Sequence, residues 1–255
     1  MEICSYFTDH FVNQTVTQFF AKSLNTQLLH INDFKKSEKT FCSYGILRGT
    51  GEAIQLSKSF IYLDHGYFDS SSRSFTQNKN TILNGLDGYF RVISNDLYFN
   101  LNYMNLDKTR FNHLNINLRD LNKNADYIIL SEPTENTLNF LGIHNWTNDT
   151  INEIKKYTDR EIIVHNKFNK TPLSELFRNA FAFVSLQSTA GFKAIIEGIP
   201  AYFTHTSLEK YGNIINIEKP SLNHDVLYIA SNSQWRLNEF FNDDFKNYIT
   251  DIISL

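Results

Sequence analysis

The chain of 255 residues is long enough for one large or two small α/β domains, and its 42% of hydrophobic residues can fill ordinary protein cores. A formal net charge of −3 excludes a strongly basic protein, so a polyanionic partner would have to be held by a local basic patch. No run approaches the roughly 18 uncharged apolar residues of a membrane span, and the first residues lack the basic stretch of a signal peptide, which predicts a cytoplasmic protein (host cytoplasm for a viral one) without a membrane partner.

The first hundred residues alternate between strand-like and helix-like patterns. Short β-rich apolar runs predict strands, and apolar residues between Asp9 and Leu24 recur at helical spacing. The predicted elements are a strand at 3–7, a helix at 9–24, strands at 27–31 and 40–46, a short helix at 51–57, and strands at 60–63 and 89–93. Because the strand at 60–63 runs into the polar residues Asp64 and His65, the pattern predicts a small open sheet with polar groups along one edge.

Two stretches without apolar periodicity interrupt this pattern. Residues 69–85 are rich in Ser, Asn, Thr and Gln and predict a long loop, whereas residues 95–124 are rich in Asn and weakly patterned. A new apolar strand is predicted at 126–130. We therefore place a domain boundary between residues 124 and 125.

The segment 160–204 predicts a βαβαβ unit with a phosphate-binding turn. Strands are expected at 161–165, 182–186 and 200–203, and helices at 172–180 and 190–197. Gly198 and Pro200 mark the end of the second helix. Ligands of parallel sheets bind beyond the carboxyl ends of the strands, where Ser188 and Thr189 would open this helix and offer N–H and hydroxyl donors to an anion. The alternative for Ser188 and Thr189 is an ordinary helix cap.

Several of these motifs resemble those of GT-B glycosyltransferases. Residues 188–200 resemble the donor-nucleotide motif of this class, as found in capsule Kdo transferases and phage glycosyltransferases. Residues 44–52, 62–68 and 89–92, together with Trp235, are similar to short phage-encoded enzymes that glycosylate modified DNA bases. The resemblance implies two Rossmann-like domains with a cleft between them and a C-terminal helix that crosses back.

The implied domains follow the boundaries suggested by the patterning. Residues 1–124 would bind the acceptor, residues 125–234 would bind the nucleotide sugar, and residues 235–255 would form an amphipathic helix packed on the first domain. The chain departs from the usual motif at Lys193, where a ribose-binding Glu is expected, so ribose recognition would fall to Glu197. It also has His165 in place of an Arg, while Lys167 is kept.

The resemblance also implies roles for single residues. Asp64 or His65 would be the general base that deprotonates the acceptor hydroxyl, with Asp64 preferred. The acceptor would be contacted by Arg73, Lys79 and Arg91, although Arg91 is equally suited to anchoring a structural carboxylate. The residues implied in donor binding are Arg48, His165, Lys167, Ser188, Thr189, Gly191 and Glu197.

No cofactor is expected beyond the nucleotide-sugar co-substrate, a UDP-sugar by preference. The histidines lack the paired spacing of a catalytic zinc site, and cationic side chains with a helix end could neutralise the leaving diphosphate without a metal. The predicted function is transfer of a sugar to the hydroxyl of a 5-hydroxymethylpyrimidine (uracil or cytosine) in phage DNA, by a monomer or a dimer. The alternatives are a transferase of surface or capsular polysaccharide synthesis and a catalytically silent nucleotide- or DNA-binding protein.

Overall fold

The computed structural model describes residues 2–69, 87–100, 102–122 and 125–254. The chain divides into two compact units: unit 1 comprises Met1–Arg110 with Ile229–Leu255, and unit 2 comprises Phe111–Tyr228. These limits differ from the predicted boundaries at 124/125 and 234/235. Residues 119–122 belong to unit 2 because the amides of Arg119 and Asn122 donate to the carbonyls of Ile196 and Gly198, each at 2.9 Å.

Unit 1 contains a mixed six-stranded sheet. With strands numbered along the whole chain, they are β1 (Ile3–Phe7), β2 (Gln27–His30), β3 (Thr40–Tyr44), β4 (Phe60–His65), β5 (Phe90–Ser94) and β10 (Gln234–Trp235). Their order is β10-β5-β4-β3-β1-β2. The strands β1 to β4 are parallel, whereas β5 and β10 run antiparallel to their neighbours. The helices are α1 (Phe11–Leu24), α2 (Thr50–Leu56) and, at the C-terminus, α9 (Asp243–Ser254).

The C-terminal segment completes the core of unit 1. The buried face of α1 contributes Val16 and Phe20 to the same cluster as Phe245 of α9 and Trp235 of β10. The sequence predicted a helix that begins at Trp235. This prediction was wrong, because the backbone of Trp235 pairs with Phe90 of β5. The segment 235–255, predicted as one helix, therefore contains the end of a short strand, a 3₁₀ turn and then α9.

Unit 2 contains a four-stranded parallel sheet. Its strands are β6 (Tyr127–Ser131), β7 (Ile162–His165), β8 (Ala180–Ser185) and β9 (Ala201–Phe203), in the order β7-β6-β8-β9. Its helices are α4 (Glu135–Leu141), α5 (Trp146–Ile154), α6 (Leu173–Leu176) and α7 (Thr189–Ile196), while α3 (Thr109–His113) and α8 (Asp225–Asn232) lie at the two unit boundaries. The predicted helix 172–180 is shorter than expected because Ala180 already pairs with Tyr127 in the sheet.

The two units share one strand order, although no repeat is visible in the sequence. In each unit the chain runs from the first strand to a neighbour on one side, β2 or β7, and then crosses to the other side, β3 or β8. The order therefore reverses between β1 and β3 in unit 1, and between β6 and β8 in unit 2. Such switch points are where open α/β sheets bind their ligands.

Two further sequence predictions concern membrane-spanning segments and the polar loop at 69–85. None of the helices in the described ranges is long and apolar enough to cross a membrane. The predicted polar loop at 69–85, including Arg73 and Lys79, lies outside the described residues except for Asp69. The roles proposed for Arg73 and Lys79 stay predictions.

Candidate functional site

The switch point of unit 2 combines a buried strand end with a helix start. Ser131 at the end of β6 pairs with Ser185 at the end of β8, and the chain then turns through Gln187 into α7. Ser188 is the N-cap of α7, and its hydroxyl accepts the N–H of Ala190 at 3.2 Å. The cap hydroxyl and the first helical residue, Thr189, thus lie beyond the carboxyl end of β8.

Two buried oxygen atoms at this turn lack a hydrogen-bond partner among the described residues. They are Oγ of Ser185, whose residue is fully buried, and Oε1 of Gln187. Buried polar atoms are nearly always hydrogen-bonded, so orphaned ones indicate a site for water or a polar ligand. The sequence analysis missed Gln187, although it directly follows the strand predicted at 182–186.

A carboxylate occupies the same edge on the β6 side. Glu132 follows β6, and its two oxygens accept hydrogen bonds from the hydroxyl of Thr147 at 2.8 Å and the amide of Asn166 at 3.1 Å. Within the described part of the chain Glu132 makes no ion pair. It retains lone pairs that can accept hydroxyl or amino donors. Its position directly after a buried strand was a signal for this residue that the sequence analysis did not use.

A small cavity of about 260 Å³ opens beside these strand ends. Apolar walls come from Trp146, Leu186 and Ile214, with Thr204 and Glu153 among the polar lining groups. The indole N–H of Trp146 donates to the hydroxyl of Thr204 at 2.8 Å and fixes the ring. A hollow of this kind suits a flat ring with polar substituents.

Gly191 and Glu197 of the predicted donor set have evident structural partners. A Cβ on Gly191 would lie 2.6 Å from Cε1 of Phe203, so glycine is required for α7 to pack on β9. Glu197 forms a partly exposed ion pair with Arg119 at 2.7 Å. It lies at the far end of α7, about 12 Å from Thr189 at 1.5 Å per residue. The structure thus does not bring Glu197 to Ser188 and Thr189.

His165 ends β7 and Lys167 follows it, on the far side of β6 from β8. His165 Nε2 lies 3.2 Å from the carbonyl oxygen of Thr171. The ammonium group of Lys167 lies 4.9 Å from the ring centroid of Phe168, which is 82% exposed. Both residues are on the carboxyl edge of the sheet, one strand removed from the α7 turn.

In unit 1, Asp64 and Arg91 form a largely buried ion pair across β4 and β5. The guanidinium of Arg91 donates to Oδ2 of Asp64 at 2.7 Å, and the hydroxyl of Tyr62 donates to the same oxygen at 2.8 Å. The His65 N–H donates to Oδ1 at 2.8 Å. Arg91 also lies over the rings of Tyr62, Tyr67 and Tyr98. Arg91 thus anchors a buried carboxylate, one of the two roles considered for it, while its contact with an acceptor stays a prediction.

The electrostatics of this pair bear on the choice of general base. Burial raises the pKa of Asp64, but the Arg91 charge, the nearby His65 and the hydrogen bonds outweigh it and leave that pKa below its ordinary value. Burial opposes the charge of Arg91, yet the Asp64 carboxylate raises the pKa of Arg91. Asp64 is therefore a firmly ionised, weak base. The His65 ring is edge-on to Tyr44 at 5.9 Å between centroids and stacked near Phe90.

Arg48 is exposed in the loop after β3 and holds a left-handed backbone conformation, with φ of 62°. This places it at the switch point of unit 1. No group of three or more side chains able to hold a metal ion occurs within the ranges that the structure describes.

No protein-family model matches the chain, and no curated protein is detectably similar in sequence. Two solved structures are similar over almost their whole length. The KpsC beta Kdo 2,7 transferase of Thermosulfurimonas dismutans is 11% identical, with 90% of each chain covered and a TM-score of 0.50. The KpsC beta Kdo 2,4 transferase of the same organism is 10% identical, with 91% of this chain and 90% of that one covered and a TM-score of 0.53.

The chain has a GT-B-like fold. This confirms the fold class predicted from residues 188–200 and from the alternation of strands and helices. At these identities the likeness concerns the fold alone, so the GT-B-like architecture gives no residue a function by itself.

Proposed function

We propose that the protein is a glycosyltransferase that takes a sugar from a nucleotide-activated donor. Its GT-B-like fold is shared with two beta Kdo transferases. The observation that carries the proposal is the polar turn at the switch point of unit 2, where Ser188 caps α7 next to two orphaned buried oxygens. This is the place at which parallel sheets of this strand order bind nucleotides.

The donor would lie across this turn, with its diphosphate at the start of α7. The hydroxyls of Ser188 and Thr189 and the helix end would stabilise the charge that develops on the leaving group. The cavity beside Trp146 would receive the base. We propose a UDP-sugar as the first donor to test, with no metal required; His165, Lys167 and Arg48 stay candidates for further donor contacts.

The acceptor is proposed to be a hydroxyl group of a growing glycan. The support is the resemblance of residues 188–200 to the motif of capsule Kdo transferases, together with the fold shared with two Kdo transferases. A second candidate is a 5-hydroxymethylpyrimidine in DNA, supported by the resemblance of residues 44–52, 62–68 and 89–92 to phage-encoded transferases. For either acceptor, His65 or Asp64 would accept the hydroxyl proton.

Donor binding is tested by thermal unfolding with and without UDP and a panel of nucleotide sugars. A ligand that binds only the native protein raises its melting temperature, and the double variant Ser188→Ala/Thr189→Ala should lose most of that rise. Thr134→Ala is the matched control because Thr134 caps α4 of the same unit. Equal nucleotide binding by the double variant and the wild type would remove the proposed phosphate site.

The acceptor is tested by transfer of label from radioactive nucleotide sugars. Reactions would contain a glycan primer, DNA with hydroxymethylpyrimidine, or ordinary DNA. Label in the glycan alone supports the first acceptor, and label in the modified DNA alone supports the second. Nucleotide binding without any transfer would favour a silent nucleotide-binding protein.

A further inference from the structure

The loop after β7 carries an exposed aromatic ring at the carboxyl edge of the unit 2 sheet. Phe168 is 82% exposed, and the ammonium group of Lys167 lies 4.9 Å from its ring centroid, within the range of a cation–π interaction. Lys167 can cover only one face of the ring, so the opposite face is available to a ligand. A single exposed apolar side chain is common on protein surfaces, and the inference therefore depends on how this one is held.

The backbone around Phe168 is fixed by the side chains of two asparagines. The Asn166 N–H donates to Oδ1 of Asn169 at 2.6 Å, and the Phe168 N–H donates to Oδ1 of Asn166 at 3.0 Å. The Asn169 N–H donates to the carbonyl of Asn166 at 3.1 Å. Asparagine side chains of this kind satisfy backbone groups locally and stabilise a tight turn. The ring of Phe168 is therefore presented from a hydrogen-bonded turn.

The turn is also joined to the end of β6. The side-chain amide of Asn166 donates to Oε2 of Glu132 at 3.1 Å, and the Glu132 N–H donates to the carbonyl of His165 at 2.9 Å. A carboxylate offers about four acceptor positions, and Glu132 uses two of them for Asn166 and Thr147. Its other positions can accept hydroxyl groups, whereas its charge repels a phosphate.

A saccharide ring matches this combination of groups. The C–H face of a pyranose can pack on an aromatic ring, while its hydroxyls can bond to the nearby carboxylate and amides. A nucleotide chain matches less well, because its phosphates would lie beside Glu132. Neighbouring strands lie about 4.8 Å apart, so β7 lies roughly 10 Å from β8 across β6. A sugar attached to a diphosphate at the start of α7, or the next sugar along, can span this distance.

We propose that Phe168 is a stacking platform for a pyranose ring, with Lys167 behind the ring and Glu132 accepting sugar hydroxyls. The pyranose is either the sugar of the donor or the first sugar of a glycan acceptor. Its part in sugar transfer rests on the proposed function. Sugar binding by the platform does not depend on transfer and can be measured by itself.

The test uses Phe168→Trp, which replaces the exposed ring with a fluorescent one. The wild type gives the background, because Trp146 and Trp235 are buried. The probes are UDP, UDP-glucose, UDP-N-acetylglucosamine, the methyl glycosides of the same two sugars, and a short single-stranded oligonucleotide. We expect sugar-containing probes, and not UDP alone, to protect the introduced indole from acrylamide quenching. Protection by the methyl glycosides indicates an acceptor sugar, and protection by the nucleotide sugars alone indicates the donor sugar.

A second set of variants measures the affinity for the protecting sugar. Phe168→Ala should weaken this binding about tenfold and leave the affinity for UDP unchanged, whereas Phe168→Tyr should retain the binding. Leu56→Ala removes an exposed apolar side chain of unit 1 and is the control, which should bind as the wild type does.

Four results would overturn the platform. They are no protection by any sugar-containing probe, equal protection by UDP and the nucleotide sugars, stronger protection by the oligonucleotide, and a Phe168→Ala protein that binds the sugar like the wild type. The third result would mean that Phe168 stacks on a nucleic-acid base.

Failure of the platform can be told apart from failure of the proposed function. Protection by methyl glycosides, combined with no rise in melting temperature with any nucleotide, would retain the platform and remove the glycosyltransferase proposal. A melting temperature raised by a nucleotide sugar without protection of the introduced indole would retain the proposed function and remove the platform.

Discussion

Asp64 accepts three hydrogen bonds and lies beside one guanidinium, and at the scale of single residues this arrangement makes stability depend on pH. Its folded pKa is lowered, so the ion pair stabilises the protein fully above the unfolded value of about 3.9. The stabilisation is lost as the pH falls through the lower, folded pKa. Only a quarter of the side chain is exposed, so solvent screens the pair little.

We therefore expect Asp64→Asn to lower the free energy of unfolding by about 3 kcal/mol at pH 7, because Arg91 is left buried without its counter-charge. The difference between variant and wild type should shrink as the pH is lowered from 5 to 3. Urea unfolding across this range measures it. Glu38→Gln, which breaks the exposed pair with Lys58, is the control and should change little. A difference that stays constant with pH would contradict the ion-pair account.

The same geometry separates two candidates for the base. We expect His65→Ala to reduce sugar transfer roughly a hundredfold with little change in nucleotide affinity, the effect of losing a general base. Asp64 is a weak base because its carboxylate already accepts three hydrogen bonds. We therefore expect Asp64→Asn to reduce transfer mainly by lowering the fraction of enzyme that is folded. Initial rates corrected for the folded fraction decide between them. An Asp64→Asn enzyme that is fully folded yet inactive would restore Asp64 as the base.

Single residues were the hardest features to predict from the sequence. Asp64 and Arg91 were both singled out, but their partnership depends on the antiparallel pairing of β4 with β5, which residue patterns do not specify. Gln187 was missed because an orphaned oxygen exists only in three dimensions, whereas Glu132 was missed although its place directly after a predicted strand was visible in the sequence. Ser188 was placed correctly at a helix start, since capping depends on local sequence.

At the scale of elements, the contact between α7 and β9 depends on Gly191, which has no side chain. We expect Gly191→Ala to destabilise unit 2 by about 1–3 kcal/mol, because the new Cβ would overlap the ring of Phe203. Phe203→Leu should cost less in the Gly191→Ala background than alone, which a double-mutant cycle of unfolding free energies detects. If the two changes in unfolding free energy are strictly additive, the new Cβ does not contact the ring of Phe203, and the close packing of α7 on β9 does not explain the glycine.

Elements with strong periodicity were predicted well. The strands near 3–7, 60–63 and 126–130 and the helix near 9–24 are present within a few residues. The short helices α4 and α8 were missed because neither has a long apolar repeat. The strand β10 could not be predicted at all, since two residues carry no pattern and their pairing partner lies far away in the sequence.

For the whole molecule, the two tryptophans give each unit its own reporter. Trp146 belongs to the core of unit 2 and Trp235 to that of unit 1. If a nucleotide binds unit 2, we expect it to raise the unfolding midpoint seen by Trp146 in a Trp235→Phe protein. The midpoint seen by Trp235 in a Trp146→Phe protein should move less. Urea unfolding followed by fluorescence, with and without UDP, measures both midpoints. A shift only in the midpoint reported by Trp235 would mean that the nucleotide binds unit 1 and not unit 2.

Because unit 1 is built from residues on both sides of unit 2, its folding is tied to the order of protein synthesis. The ribosome delivers β1 to β5 early, but Gln234, whose side chain accepts the backbone N–H groups of Tyr67 and Phe68, emerges only after all of unit 2. Until then the edge of β5 is unpaired, and the apolar surface of α1 that packs against Phe245 is uncovered. Both exposed surfaces favour association between nascent chains. A stalled or truncated chain should therefore depend on chaperones far more than the finished protein does.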